Sequence, residues 1–204
     1  MQNNYHTNVE RTSLLYLQWI NVELLPFVKK IWRRNILSDA IEKTKEATVY
    51  VKEGNENLVA TITPHHLALN RNAIFVGGIR PHNYCLPILK REVHRKALLK
   101  AATSGNAKFF LGTDTAPHLT SDKESACGCA GVFNATYCVS ILAQLFDNEN
   151  ALPQLENFIS KNGAKHYDLN INKEKITLIK SSQNLIFKKY LDVNEQKIKI
   201  FENY

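Results

Sequence analysis

Lys108-Phe109-Phe110-Leu111-Gly112-Thr113-Asp114 reads as the clearest strand of the chain. Three large apolar side chains in a row suit a strand buried on both faces, and the run closes on a carboxylate. An Asp at the carboxyl end of a parallel strand faces the mouth where α/β enzymes place their chemistry. His118 follows after a turn stiffened by Pro117, so both side chains reach one pocket. An Asp there takes a proton from a bound water or completes a metal's coordination, and a His there donates to a substrate anion. Spacing alone leaves a plainer arrangement open: Asp114 capping the turn and His118 a satisfied surface residue.

Outward from this strand, helical and extended segments alternate. Towards the amino terminus, residues 89–103 carry Val93, Ala97, Leu98 and Ala101 on one helical stripe, ended by Gly105. Residues 73–76 read as a short extended run before Gly77-Gly78, and 58–63 as a strand stopped by Pro64. Residues 42–53 read as a helix with Ala47 and Val51 inward, 35–39 as a short buried strand, and 12–33 as apolar at helical spacing. Towards the carboxyl terminus, a loop of small and polar residues runs to Gly131, and an apolar, buried helix is expected over 132–146. A segment at 152–162 and a mixed stretch to 204 complete the chain. The alternation predicts a parallel α/β fold. Three or four strands are visible, short of the ~250 residues typical of a complete (β/α)8 barrel.

The 204 residues suit a single domain, with an apolar share of 44% and a charged share of 22% that fit a soluble globular chain. No apolar run approaches the ~18 residues needed to span a bilayer, and residues 14–20 lack the flanks of a secretory signal. Four cysteines without such a signal imply free thiols in a reducing compartment, the cytoplasm. Cys127-Gly128-Cys129 reads as small apolar residues packed near a turn. The net charge of +7 is centred on residues 61–130, which hold 9 basic and 4 acidic side chains. The cluster from Lys90 to Lys100 spreads around a helix, as a solvated face or an attractor of an anionic small molecule would. With no recognition-helix, RNA-binding-sheet or zinc-finger signature, nucleic acid is not expected as a partner.

Longer motifs narrow this reading. Gly112-Thr113-Asp114-Thr115-Ala116-Pro117-His118 with Lys123, and Lys123-Glu124-Ser125-Ala126-Cys127-Gly128-Cys129-Ala130-Gly131, resemble signatures of bacterial-type dihydroorotases in the amidohydrolase superfamily. Ala60-Thr61-Ile62-Thr63-Pro64, Val76-Gly77-Gly78-Ile79-Arg80-Pro81-His82, Tyr84-Cys85-Leu86-Pro87 and Phe133-Asn134-Ala135 match the same family in order. The chain resembles the family's carboxyl-terminal half, closely over 54–135 and more weakly to about 170, with 1–53 divergent and 136–204 read as trailing helices and a tail.

The resemblance implies a partial (β/α)8 barrel over 1–204, contributing the last three or four strands. It implies a zinc-dependent hydrolase that interconverts dihydroorotate and carbamoyl aspartate in pyrimidine synthesis. Asp114 matches the last metal ligand and proton carrier, and His118 a residue that binds the substrate carboxylate. Leu86 and Ala130 match positions whose backbone groups hold the pyrimidine ring.

The other metal ligands of the family are not matched. No HxH pair occurs, no bridging Lys is found, and Ala40 stands where the His ending the sixth strand belongs. Tyr5-His6-Thr7-Asn8-Val9 resembles the fifth strand, which makes His6 the second matched ligand. A catalytic zinc wants about three protein ligands and an open position. The chain is therefore expected to need self-association or a complementing amino-terminal piece. The competing readings are a catalytically dead binding or partner subunit and the product of a truncated gene.

Overall fold

The computed structural model describes residues 4–6, 36–37, 44–181 and 187–202. The segment at 12–33 and Ala40 lie outside them. Three parallel strands form the central sheet: β2 (Ile36–Leu37), β3 (Val59–Ile62) and β4 (Phe109–Leu111), in that order. Ala60 stands opposite Phe109 and Ile62 opposite Leu111. Helix α1 (Lys45–Glu53) connects β2 to β3, and α3 (Glu92–Ala102) lies between β3 and β4, the crossover arrangement that parallel pairing requires. Strand β1 (Asn4–His6) lies outside this sheet. It pairs antiparallel with β5 (Ile179–Ser181), so Tyr5 and His6 of the matched segment do not sit beside β2 as a fifth barrel strand would, and the rest of that segment lies outside the described residues.

Strand β4 is buried on both faces, as its apolar run requires. Phe109 joins the main core with Leu98, Leu142 and Phe146. Phe110 packs the other way, its ring centroid 5.7 Å from His166 and 5.8 Å from Tyr167 of α6 (Asn162–Tyr167). The strand runs only over Phe109–Leu111 rather than the expected 108–114: Gly112 N still donates to Ile62 O at 3.3 Å, but by Asp114 the backbone has turned into the left-handed region. Gly112 has no room for a side chain: a Cβ there would lie 2.6 Å from Thr61 Cβ. Lys108, just before the strand, donates from Nζ to the carbonyls of Val51 (3.2 Å), Lys52 (3.2 Å) and Gly54 (2.6 Å). A cation thereby closes the carboxyl end of α1, where unpaired carbonyls concentrate negative charge.

Several local expectations need correction. Residues 73–76 are not extended. A 3₁₀ turn, Arg71–Ile74, is started by Asn70, whose side chain accepts from Asn72 N, and it leads into Gly77 and Gly78 at positive φ. Pro64 does not merely stop β3. It opens helix α2 (Pro64–Ala68) with Thr63 as its N-cap, the position where a missing N–H costs nothing. On α1 the inward pair is Thr48 and Val51, with Ala47 half-buried. On α3 Leu98, Leu99, Ala101 and Ala102 face inward while Val93 is 56% exposed. The apolar helix expected over 132–146 is α5 (Cys138–Asn148); residues 132–135 stay in a loop for reasons given below. Cys127 is exposed rather than packed.

The carboxyl-terminal stretch holds a hairpin as well as helices. Strands β6 (Tyr190–Val193) and β7 (Gln196–Lys199) turn through Asn194 and Glu195, both at positive φ, as a tight hairpin connection demands. Phe201 N then donates to Phe133 O at 2.7 Å, and Ile200 and Phe201 are buried. Among the described residues no helix is long and apolar enough to cross a membrane.

At the start of α3, Glu92 accepts from Arg95 Nε (2.8 Å), Arg95 Nη2 (2.7 Å) and Asn70 Nδ2 (2.8 Å). The Arg95 guanidinium, aided by Asn70, holds this carboxyl down at about 2, against an ordinary 4.5. A carboxyl depressed by folding contributes stability above its unfolded pKa and loses it as pH falls through the folded one. Unfolding free energy measured by urea should therefore decline from about pH 4.5 towards pH 2. Glu92→Gln should flatten part of that decline. Salt should weaken the effect, because the Glu92 side chain is 41% exposed. An unchanged acid slope in the variant would remove this pair as a source of stability.

Candidate active site

Asp114 follows β4 with φ at 44°, in the left-handed region, where Asp is among the few residues with a side chain that settle readily. Its neighbours are clamped on both sides. Asn134 Nδ2 donates to Thr113 O at 2.7 Å, and Thr115 Oγ1 accepts from Asn134 N (3.2 Å) and Ala135 N (3.3 Å). Ala116 N donates to Val132 O at 3.1 Å. These bonds use the donors of residues 134 and 135, which is why the apolar run there stays out of helix α5. They also over-determine the backbone of Asp114, which is how a strained conformation persists. Asp114 itself is exposed.

His118 lies half-buried four residues on, and its Nε2 is 3.1 Å from Ala130 O. A carbonyl only accepts, so Nε2 carries the proton. Gly131 sits over this contact at φ +155, and a Cβ there would fall 2.6 Å from Ala116 Cβ and 2.8 Å from His118 Nε2. The loop of residues 81–91 is joined to the same place. Gly131 N donates to Tyr84 O at 3.0 Å, and His82 Nε2 meets Glu124 Oε1 at 2.9 Å. Leu86, two residues beyond Tyr84, is 63% exposed. The loop that carries Leu86 and the loop that carries Ala130 and His118 are thus hydrogen-bonded together after β4. His6 belongs to β1, paired with β5.

Sequence reasoning gave Lys123 no role of its own. It ends the short helix α4 (Thr120–Lys123), is only 3% exposed, and donates from Nζ to the carbonyls of Tyr84 (2.9 Å), Cys129 (2.6 Å) and Gly131 (2.8 Å). Burial pulls its ammonium below the usual lysine range. Its sequence signal was weak, because Lys is a residue type that is rarely buried.

A second cluster lies beneath the loops. His65, His66 and Cys85 are buried, and one ligand atom of each lies within 4.8 Å of the others. Two imidazoles and a thiolate are the donor chemistry zinc prefers. In the described structure, however, the cluster is knitted by hydrogen bonds. His66 Nε2 is 3.0 Å from Pro87 O, so it donates, and Nδ1 is 2.7 Å from Thr63 Oγ1. His65 Nδ1 is 3.2 Å from Asn134 Nδ2, an amide that also donates to Thr113 O and is oriented by it. Both ring acceptors are therefore engaged, and an ion would have to displace these bonds. Asp114 is not part of the cluster. Among the described residues no group of three ligand side chains gathers around Asp114. The donor set present does not by itself fit a zinc site there.

A sequence profile of the amidohydrolase family matches residues 24–201, and the chain belongs to that family. Within it the likeness is to dihydroorotases. That of Aromatoleum aromaticum is 52% identical over 164 residues, covering 80% of this chain and 47% of that protein. The mitochondrial dihydroorotase of Arabidopsis thaliana is 51% identical over 164 residues, covering 80% and 43%. The crystal structure of Saccharomyces cerevisiae dihydroorotase in complex with 5-fluoroorotic acid superposes with a TM-score of 0.70 at 29% identity, over 82% of this chain and 48% of that one. Campylobacter jejuni dihydroorotase gives 0.68 at 29% identity, over 81% and 47%. The family and these structures give the chain a mixed α/β fold of the TIM-barrel type. The chain spans about half the length of the curated relatives it matches.

Proposed function

We propose that this chain carries the carboxyl-terminal part of a dihydroorotase site, on one incomplete barrel domain over 1–204 whose β2, β3 and β4 are the last strands. The observation that supports this most is the joining of two loops after β4. They bring His118 against Ala130 and bond the Leu86 loop to the Ala130 loop, with Asp114 held at the strand end. The substrate pair is dihydroorotate and carbamoyl aspartate. His118 receives the substrate carboxylate, and the backbone groups of Leu86 and Ala130 hold the ring. As water adds to the ring carbonyl carbon, Asp114 accepts its proton and passes it to the departing nitrogen as the C–N bond breaks.

Zinc is the metal that the family resemblance brings, with Asp114 as its ligand from this chain; His6, the other ligand matched by resemblance, sits on β1 against β5 rather than beside β2. A complementing amino-terminal piece, or a second copy, would supply the rest, in the cytoplasm. With those donors in place, the metal would supply activation of water near neutral pH.

Dihydroorotate titrated into the ¹⁵N-labelled chain tests the ligand half of this reading directly. The amides of Leu86 and Ala130 are expected to shift, and His118→Ala to weaken binding by about 10-fold through loss of one charge-assisted contact. Shifts confined to other loops would move the site elsewhere.

A further inference from the structure

Lys123 is the one Lys, Arg, Asp or Glu side chain that is fully buried among the described residues. An ammonium has three protons, and here three carbonyls at 2.6–2.9 Å take all of them. The choice of acceptors is informative. Tyr84 O belongs to the Leu86 loop, whereas Cys129 O and Gly131 O stand on either side of Ala130. The peptide joining Cys129 to Ala130 is planar and trans, so its C=O and N–H point in opposite directions. Fixing Cys129 O on Nζ therefore turns the Ala130 N–H away from Lys123. The next peptide is fixed as well, with Ala130 O against His118 Nε2 and Gly131 N on Tyr84 O.

We propose that Lys123 is a positioning residue for the substrate ring, its buried ammonium setting the direction of the Ala130 peptide and the spacing between the Ala130 and Leu86 loops. This rests on the proposed role of those two backbones in holding dihydroorotate. Lys123 does not touch the substrate. It acts through the two loops it joins.

Lys108 provides a matched control, because it too gives its three protons to three carbonyls, at the end of α1. If each lysine served only to hold the fold together, Lys123→Met and Lys108→Met would lower stability and leave ligand affinity alike. The experiment titrates dihydroorotate into the labelled full chain and both variants, following the Leu86 and Ala130 amides, with urea unfolding run in parallel. Lys108→Met is expected to lose stability and bind as the wild type does. Lys123→Met is expected to shift the Ala130 amide before ligand is added and to bind at least ~10-fold more weakly. Should Lys123→Met not fold, Lys123→Arg replaces it with the same expected loss. A planar guanidinium keeps the charge but cannot converge three bonds on one nitrogen. Affinity within about 2-fold of wild type in the folded Lys123 variant, a difference of under 1 kcal/mol, would overturn the inference and leave the functional reading standing. A wild-type spectrum unmoved by dihydroorotate would overturn the functional reading and the positioning role together.

Discussion

Purified alone, the chain will not turn over dihydroorotate above background and will not take up zinc stoichiometrically at Asp114. The argument is one of ligands. A catalytic zinc needs about three protein donors and an open position. Around Asp114 the described residues gather no such set, and the one cluster of suitable atoms, His65, His66 and Cys85, has its ring acceptors engaged by Thr63 and Asn134. Ala40 has no donor to offer. Water that is not metal-activated keeps a pKa near 15.7 instead of about 7, so Asp114 has no strong nucleophile to create. Adding an amino-terminal piece that brings the missing donors should restore turnover. In that assembly Asp114→Asn should lower the rate by about 10²–10⁴-fold, the range for removing a positioned acid–base group. Metal analysis together with a turnover assay decides the matter. Zinc-dependent turnover by the isolated chain, abolished by Asp114→Asn, would show that the His65 cluster or His82 had been recruited as replacement ligands.

The second large effect is on stability. Phe109→Ala should cost about 3–5 kcal/mol, because the ring is 1% exposed in the middle of β4 and its removal leaves a cavity lined by the main core. Against a total stability of about 5–15 kcal/mol, that loss should bring the urea midpoint down severely or abolish folding. Val93→Ala on α3 is the contrast. The sequence stripe includes Val93, but the side chain is 56% exposed, and its loss should stay within about 0.5 kcal/mol. Equal effects from the two would contradict the burial assigned to each.

These two residues also mark what the sequence made legible. Phe109, Phe110 and Leu111 are contiguous, so the strand could be read whatever its register. Val93 belongs to a helix whose inward stripe is set by Leu98, Leu99, Ala101 and Ala102, and periodicity alone did not decide on which side of that stripe Val93 falls. The parallel sheet was readable because β3 and β4 carry apolar runs separated by a helix. The start of α5 was not, because residues 132–135 look helical in composition, but Asn134 N and Ala135 N are bonded to Thr115, about 20 residues earlier. Helix α2 was not legible, because a Pro after a strand reads as a stop, whereas here it is the first helical residue behind the Thr63 cap.

At the site, Asp114 and His118 stood out at the end of the apolar strand, and Leu86 and Ala130 came from motif resemblance, whereas the ties between their loops could not be read. A lysine that ends buried among three carbonyls has no local signature separating it from a solvated one. The same holds for Lys108, whose partners are more than fifty residues away in sequence.

The left-handed backbone at Asp114 carries a consequence for descent. The acid–base role proposed for Asp114 and the backbone shape make separate demands at that position, and a short carboxylate answers both. A lineage that no longer needed the proton carrier would still be held by the second demand. Asn and Gly enter this conformation cheaply, whereas β-branched side chains are excluded. Drift at residue 114 would thus be channelled towards a narrow set of replacements long after selection for catalysis had lapsed. An Asp kept there testifies less to retained activity than an Asp in ordinary extended backbone would.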